Sequence, residues 1–121
     1  MTRRETGILG ERIARDFLSA KGYGILETNY HCRDGEIDII ARKQDTLVFV
    51  EVRTRTGNTF GTPEESVTPQ KCEKLRLTAE HYGQNHADLP ESWRIDFIGV
   101  RLDRDLRVLG IDHIENAVEG T

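Results

Sequence analysis

Two acidic residues, Asp38 and Glu51, are the strongest candidates in this chain for a metal-binding or catalytic site. Asp38 belongs to the segment GEIDII at 35–40, and Glu51 begins the segment EVR at 51–53. Aliphatic and charged residues alternate in both segments, which is typical of β-strands, and residues 43–46 form a short polar connection. The pattern predicts a hairpin that carries an acidic residue on each strand.

The register of this hairpin decides how close the two acids come. A two-residue turn at positions 44–45 would continue the ladder so that Asp38 faces Glu51. Glu36 would then face Arg53, and all four side chains would share one side of the sheet. Like charges that face each other across a ladder repel. We therefore expect a cation, a shared proton or the arginine to hold the pair together.

Three interpretations of this acidic pair are open on the residues alone. It could be a solvated sheet face on which Arg53 neutralises a carboxylate. It could be a divalent-metal site, because hard cations take carboxylate oxygens and a backbone carbonyl such as that of Val52. It could be two carboxylates that share a proton for acid–base work on a glycoside. The single tryptophan, Trp93, does not favour the aromatic-rich cleft that a sugar hydrolase would need.

Length and composition indicate one compact domain over residues 1–121. Hydrophobic residues make up 36% and charged residues 31%, which is typical of a folded protein and not of a disordered one. The net charge of −4 argues against a protein that coats nucleic acid, but it is compatible with a local basic groove.

The expected location is the cytoplasm. No apolar run approaches membrane-spanning length, and residues 1–5 lead into no signal-peptide core. Cys32 and Cys72 are far apart in the sequence and are expected to be reduced thiols. We therefore expect a protein that does not associate with membranes.

Hydrophobic periodicity divides the chain into two helices and five strands. The first predicted helix is 7–21, closed by Gly22, and the second begins with Thr68 as N-cap and Pro69 at its first position. The predicted strands are 23–29, 35–42, 47–54, 92–102 and 106–111. The order α-β-β-β-α-β-β indicates an α/β fold with a mixed sheet of about five strands flanked by helices.

The strand 47–54 is apolar on both sides over most of its length. It is therefore expected to be an inner strand covered by helices on both faces, with its charge confined to a functional end. Glu11 borders the apolar stripe of the first helix. It is either an exposed partner of Arg15 or a third acidic group aimed at the acidic pair.

Two further segments are candidates for contact with a ligand. The first turns of the second helix carry Gln70, Lys71 and Lys74, which either solvate the helix or contact phosphates. Residues 57–63 are rich in glycine and polar residues, and we expect them to form a long mobile loop that gates or orders the substrate.

Glu11, the GEID segment 35–38 and the EVR segment 51–53 together resemble the PD-(D/E)xK nuclease superfamily, which has the restriction endonuclease-like fold. More closely, nearly the whole chain resembles the YraN family of predicted endonucleases, distant relatives of archaeal Holliday junction resolvases. The matching segments are GERIA at 10–14, GY at 22–23, IL at 25–26, Asn29, GEID at 35–38, VFVEVR at 48–53, FG at 60–61, PE at 63–64 and RID at 94–96.

The resemblance implies a metal-dependent endonuclease of a single restriction endonuclease-like domain. The implied substrate is DNA, branched or flapped, and the junction-resolving relatives imply a homodimer by analogy. Asp38 and Glu51 would ligate Mg²⁺ or Mn²⁺ together with the carbonyl of Val52, and Glu11 would act directly or through water. The ion would remove the repulsion between the acids, lower the pKa of its water and offset charge on the scissile phosphate. Arg53 would orient the attacking water or stabilise the developing charge.

At one position the chain departs from the superfamily pattern, because Arg53 stands where the motif has lysine. Arginine grips phosphate with two hydrogen bonds but does not readily give up a proton. Lys71 is the candidate to reach the same place. The residues predicted to contact nucleic acid are Arg53, Arg55, Gln70, Lys71 and Lys74. The departure keeps a second function open, that of a non-catalytic nucleic-acid-binding or scaffolding protein on the same fold.

Overall fold

A computed structural model describes residues 2–57 and 67–117 of the chain. Within these residues the elements are α1 (Arg3–Ala20), β1 (Gly24–Cys32), β2 (Gly35–Lys43), β3 (Thr46–Thr56), α2 (Pro69–Gln84), β4 (Ser92–Leu102) and β5 (Val108–Ile114). The predicted order α-β-β-β-α-β-β and the mixed α/β fold are confirmed.

The five strands form one sheet in the order β1-β2-β3-β4-β5. Neighbouring strands are antiparallel except β3 and β4, which are parallel and are connected through α2. The parallel ladder ends at the pair Thr56/Leu102, so the carboxyl ends of both strands lie at the same edge of the sheet. Ligand sites commonly form at this edge of parallel strands.

The residues of β3 alternate between two hydrophobic cores. Val48, Val50 and Val52 lie in the core under α1, whereas Leu47 and Phe49 lie in the core under α2. The prediction that this strand is covered on both faces is confirmed. A slip of one residue would exchange the two sets of side chains, so burial on both faces fixes the register of the strand.

The first helix starts earlier than predicted, at Arg3 and not at residue 7. Thr2 caps it, because its side chain accepts the N–H of Glu5 while the Glu5 carboxylate accepts the N–H of Thr2. Gly22 has a φ of 90° just after the helix, which confirms its predicted role as the closing glycine. The added turn brings Arg3 and its neighbours to the carboxyl end of β3.

The remaining ends of the helices and strands agree only in part with those predicted from the sequence. The start of α2 and both ends of β4 are as predicted, but β1 continues to Cys32 and β5 begins only at Val108. Leu106 belongs instead to the preceding turn, where its φ is 65°. Of the predicted loop at 57–63, all but Gly57 lies outside the described residues.

The described residues also bear on the predictions about the cysteines and about membrane-spanning segments. Cys32 and Cys72 are free thiols, as predicted. Neither helix in the described part is long and apolar enough to cross a membrane.

Candidate functional site

The backbone pairing of β2 with β3 stops just before the acidic pair. The ladder runs from the turn at residues 44–45 to the pair Ile39/Val50, in the predicted register. Instead of a further rung, the Val52 N–H donates a hydrogen bond of 2.7 Å to Asp38 Oδ2. A side chain therefore replaces the backbone of β2 as the partner of β3.

The predicted rungs between Asp38 and Glu51 and between Glu36 and Arg53 are wrong, because the ladder does not reach them. Glu36 pairs with His31 of β1 in the sheet, and their exposed side chains meet at 2.7 Å between His31 Nε2 and Glu36 Oε2. The two carboxyl groups of Asp38 and Glu51 nevertheless meet and hydrogen-bond to each other. The acids come together through their side chains and not through strand pairing.

Asp38 reaches Glu51 with its side chain because the side-chain alternation of β2 is broken at Asp38. Ile37 lies in the core under α2, whereas Ile39 lies in the core under α1, although residues two apart in a regular strand share a face. The adjacent strand is irregular at the same level, because Asn29 lies between the paired residues Thr28 and Tyr30 and has a φ of 53°. Asp38 is thus turned out of the ladder towards β3.

Glu51 is nearly buried, with 7% of its surface exposed, and two cations hold it. Lys71 Nζ lies 2.9 Å from Glu51 Oε2, and Arg53 Nη2 lies 3.3 Å from the same oxygen. Lys71 is the more sheltered cation, with 21% of its side chain exposed against 43% for Arg53. Lys71, from the first turn of α2, therefore occupies the cationic place beside the second acid that the sequence assigned to Arg53.

The surroundings of Asp38 favour the protonated form of its carboxyl group. The pKa of Asp38 is raised to about 9, chiefly by burial and further by the hydrogen bond with Glu51 and the negative charges of Glu51 and Glu11. The N–H of Val52 acts in the opposite direction. A divalent cation bound by the two carboxyl groups would displace the proton that this environment favours on Asp38.

The backbone of Val52 supplies a third oxygen at the same place. In an extended strand the N–H and C=O of one residue point to the same edge. Since the Val52 N–H points to Asp38, the Val52 carbonyl opens into the same gap between β2 and β3. Two carboxylates and a backbone carbonyl are ligands that suit Mg²⁺ or Mn²⁺.

Glu11 lies close to the acidic pair but is not in direct contact with it. It lines a cleft together with Val52, and its charge acts on Asp38. Across residues 2–57 and 67–117, however, no three His, Cys, Asp or Glu side chains converge closely enough to hold an ion by themselves. This spacing fits a role for Glu11 through a water molecule.

Close packing of α1 on β3 brings Glu11 to the site. Gly10 faces Thr54, and a Cβ at Gly10 would overlap the Thr54 side chain. Only glycine allows the helix to approach the strand so closely at this point.

A surface cleft of about 910 Å³ extends from Val52 along the carboxyl end of β3. Its floor is the part of β3 that β2 no longer covers, and its walls are α1 and the turn between β4 and β5. The lining residues are Arg3, Thr6, Gly7, Glu11, Val52, Arg53, Thr54, Arg55, Thr56, Arg104 and Leu106. Four arginines and one carboxylate make this cleft strongly basic in a chain whose net charge is −4.

The predicted nucleic-acid contacts divide between two places. Arg53 and Arg55 line the cleft. Lys71 is engaged with Glu51, and Gln70 and Lys74 are exposed on the first turns of α2, outside the cleft lining. The structure therefore brings the arginines, but not Gln70 and Lys74, into one groove with Glu11.

The sequence did not identify the other two arginines of the cleft, Arg3 and Arg104. Arg3, Thr6, Gly7 and Glu11 recur at helical spacing, and the Thr2-x-x-Glu5 capping box would have revealed this by moving the start of α1. For Arg104 the sequence gives no comparable signal, because only the parallel pairing of β3 with β4 brings its turn to the site.

A second charged cluster lies under the other end of α1. Asp96 is fully buried and bonds Arg94 at 3.0 Å and His113 at 2.8 Å, and Arg94 also donates to the Tyr23 hydroxyl. Burial raises the pKa of Asp96, but hydrogen bonds from His113, Arg94 and the Asn116 N–H outweigh it, so the pKa is lowered. This saturated network ties β4 to β5 and explains the RID segment structurally.

Comparison with known proteins relates this chain to one protein family. A family model described as "Uncharacterised protein family UPF0102" matches residues 10–100, a range that contains the acidic pair and Glu11. A UPF0102 protein of Moorella thermoacetica is 47% identical over 117 residues, which cover 97% of this chain and 98% of that protein. UPF0102 proteins of Pelotomaculum thermopropionicum and Dictyoglomus turgidum are 43% and 42% identical, covering 95% and 97% of this chain and 96% and 99% of their own. These descriptions name no activity, so the chemistry has to be argued from the site.

Proposed function

The chain belongs to the UPF0102 family, and from the site that it carries we propose that it is a metal-dependent endonuclease that hydrolyses phosphodiester bonds in DNA. The observation that carries this proposal is the meeting of Asp38 and Glu51 where β2 stops pairing with β3, beside a basic cleft. The buried Glu51 and the half-buried Asp38 place two carboxyl groups side by side where a cation and a polyanion would both fit.

Mg²⁺ or Mn²⁺ would be held by Asp38, Glu51 and the Val52 carbonyl, with Glu11 acting through a water molecule. When bound, such an ion supplies an activated water and neutralises charge on the scissile phosphate. The protein's own contribution is to aim the oxygens. The hydrogen bond from the Val52 N–H fixes one oxygen of Asp38, and the ion pairs from Lys71 and Arg53 fix one oxygen of Glu51.

In the superfamily motif a single lysine fills the cationic position, whereas here Lys71 and Arg53 each fill part of that role. Lys71 holds a buried carboxylate oxygen at 2.9 Å and has a proton that it can give up, so it is the group to orient the attacking water. Arg53 is more exposed and lines the basic cleft, where its planar guanidinium suits a bidentate contact with a phosphate.

One observation favours the alternative of a non-catalytic nucleic-acid-binding protein. Both cations contact Glu51 Oε2, so a metal ion has to compete with Lys71 and Arg53 for this side chain. If that competition is lost, the basic cleft would bind nucleic acid without cleaving it.

A cleavage assay on labelled DNA distinguishes the two functions. Four-way junctions, flaps, linear duplex and single strands would be incubated with Mg²⁺, with Mn²⁺ and with EDTA. We expect cleavage of at least one substrate by the parent protein only with metal. Asp38→Asn should lower it by at least about a thousandfold, because it removes a charged ligand while keeping an acceptor for the Val52 N–H.

The control is Asp45→Asn, which removes an exposed carboxylate at the β2–β3 turn. This variant should cleave like the parent. Asp38→Asn with parental activity would refute the site. Salt-sensitive binding by a parent that cleaves none of the substrates would favour the non-catalytic function. The homodimer stays a prediction.

A further inference from the structure

We propose that Arg3 and Arg104 form a phosphate-binding subsite that holds the nucleic-acid backbone beyond the acidic pair and reads no bases. The inference rests on the proposed function and deepens it, because it states how the substrate is recognised. It assigns a role to two arginines that lie outside every motif found in the sequence.

Three elements converge to build this subsite. Arg3 comes from the first turn of α1, Arg104 from the turn between β4 and β5, and Arg53 and Arg55 from β3. Arg3 and Arg104 are both exposed and line the same cleft. Guanidinium groups that come from three elements and line one cleft are suited to bind the phosphates of a nucleic-acid backbone.

The turn that carries Arg104 is held rigidly. Asp103 Oδ1 accepts the N–H of Asp105 at 2.8 Å and that of Arg107 at 2.9 Å, and the Asp103 N–H donates to the Arg107 carbonyl. Leu106 of the same turn packs against the core under α1. Arg104 is therefore presented from a fixed backbone, which limits the entropy lost when a phosphate binds.

The residues that line the cleft also limit which base contacts are available to a bound nucleic acid. Apart from Glu11 near the acidic pair, the described lining offers guanidinium groups, the hydroxyls of Thr6, Thr54 and Thr56, and aliphatic surface. Within that described part the cleft has neither an aromatic ring on which a base could stack nor an Asn or Gln side chain for bidentate contact with adenine. Arginine can also bond guanine with two hydrogen bonds. In the proposed subsite these arginines contact phosphates, which position the backbone and carry no sequence information, and two DNAs of unrelated sequence test this.

The test is binding of fluorescently labelled DNA, measured by anisotropy with EDTA over a range of salt concentrations. Parent, Arg3→Ala/Arg104→Ala and the control Arg42→Ala/Arg76→Ala would be compared. The control removes the same formal charge at two ion-paired arginines outside the cleft. Two DNAs of the same shape and unrelated sequence would be used.

For Arg3→Ala/Arg104→Ala we expect affinity to fall by about tenfold or more and the log–log salt slope to lose about two units, because each lost phosphate contact removes about one unit. Arg3→Lys/Arg104→Lys should keep the slope, which separates lost charge from misfolding. The two DNAs should bind within about threefold of each other. An unchanged slope in the alanine variant, a slope lost equally in the control, or a strong preference for one sequence would overturn the proposal.

Failure of the subsite and failure of the nuclease proposal give different results. If Arg3→Ala/Arg104→Ala loses the salt slope but no DNA is cleaved, the subsite stands and the nuclease does not. If the parent cleaves DNA and the slope of the alanine variant is unchanged, the nuclease stands and the subsite is wrong.

Discussion

The carboxylate of Asp38 accepts the backbone N–H of Val52 at 2.7 Å at the point where β2 no longer pairs with β3. This one contact satisfies a donor on the open edge of β3, fixes one Asp38 oxygen and leaves the end of the strand accessible. An ordinary rung at this position would have closed the gap. The site thus depends on an interrupted ladder.

The raised pKa of Asp38 predicts how stability depends on pH without metal. The folded protein binds this proton more tightly than the unfolded chain, so the free energy of unfolding should fall as pH rises from about 4 to about 9 and then level off. The slope from this group should not exceed about 1.4 kcal/mol per pH unit. Urea unfolding in EDTA at successive pH values measures it.

Asp38→Asn should flatten this dependence and make the metal-free protein more stable than the parent above pH 7. Asp45→Asn, at an exposed acid, should follow the parent curve. Parallel curves for the parent and Asp38→Asn would mean that Asp38 is ionised in the folded protein at neutral pH.

If Lys71 orients the attacking water and Arg53 contacts the phosphate, Lys71→Met should impair cleavage more than substitution of an exposed lysine outside the site. We expect kcat to fall by about a hundredfold or more, because a group that orients or transfers protons contributes on that scale. Lys71→Arg should also be slow, since arginine keeps the ion pair with Glu51 but holds its proton.

Lys74→Met is the matched control, because Lys74 is exposed on the next turn of the same helix. Its kcat should stay within about threefold of the parent. Parental kcat in Lys71→Met would show that Arg53 alone meets the need for a cation.

The contact of Gly10 with Thr54 predicts that Gly10→Ala is destabilising although alanine favours helices. Overlap with Thr54 should lower the free energy of unfolding by about 1–3 kcal/mol and move Glu11 away from the site. Gly7→Ala is the control, because a Cβ there meets no atom within 4 Å, and it should stabilise the helix by up to about 1 kcal/mol.

A double-mutant cycle checks the cause. Thr54→Ala removes the overlapping hydroxyl and methyl groups, so Gly10→Ala/Thr54→Ala should recover part of the loss. Strict additivity of the two changes would show that the loss has another origin.

Much of this molecule could be predicted from local sequence. The opposite faces of β3, the N-cap at Thr68 and the register of the β2–β3 turn follow from alternation and turn length, because one-residue errors would bury charge. The meeting of Asp38 with Glu51 was also expected, although through a rung that does not exist.

What could not be predicted depends on contacts between distant segments. The break in alternation at Asp38 coincides with an irregularity at Asn29 of the neighbouring strand, which no pattern in β2 alone reveals. The place of Lys71 beside Glu51 depends on how α2 packs over the sheet. Arg104 reaches the cleft only through the parallel pairing of β3 with β4.

The metal site at Asp38 and Glu51 is tested first by calorimetric titration of Mn²⁺ into the parent and into Asp38→Asn/Glu51→Gln at pH 7, with and without a non-cleavable duplex. The parent should bind the ion and release about one proton, because the ion displaces the proton that the raised pKa keeps on Asp38. The double variant should bind none. A parent that stays silent even with the duplex, or a double variant that binds as well as the parent, would contradict a metal site at these two carboxylates.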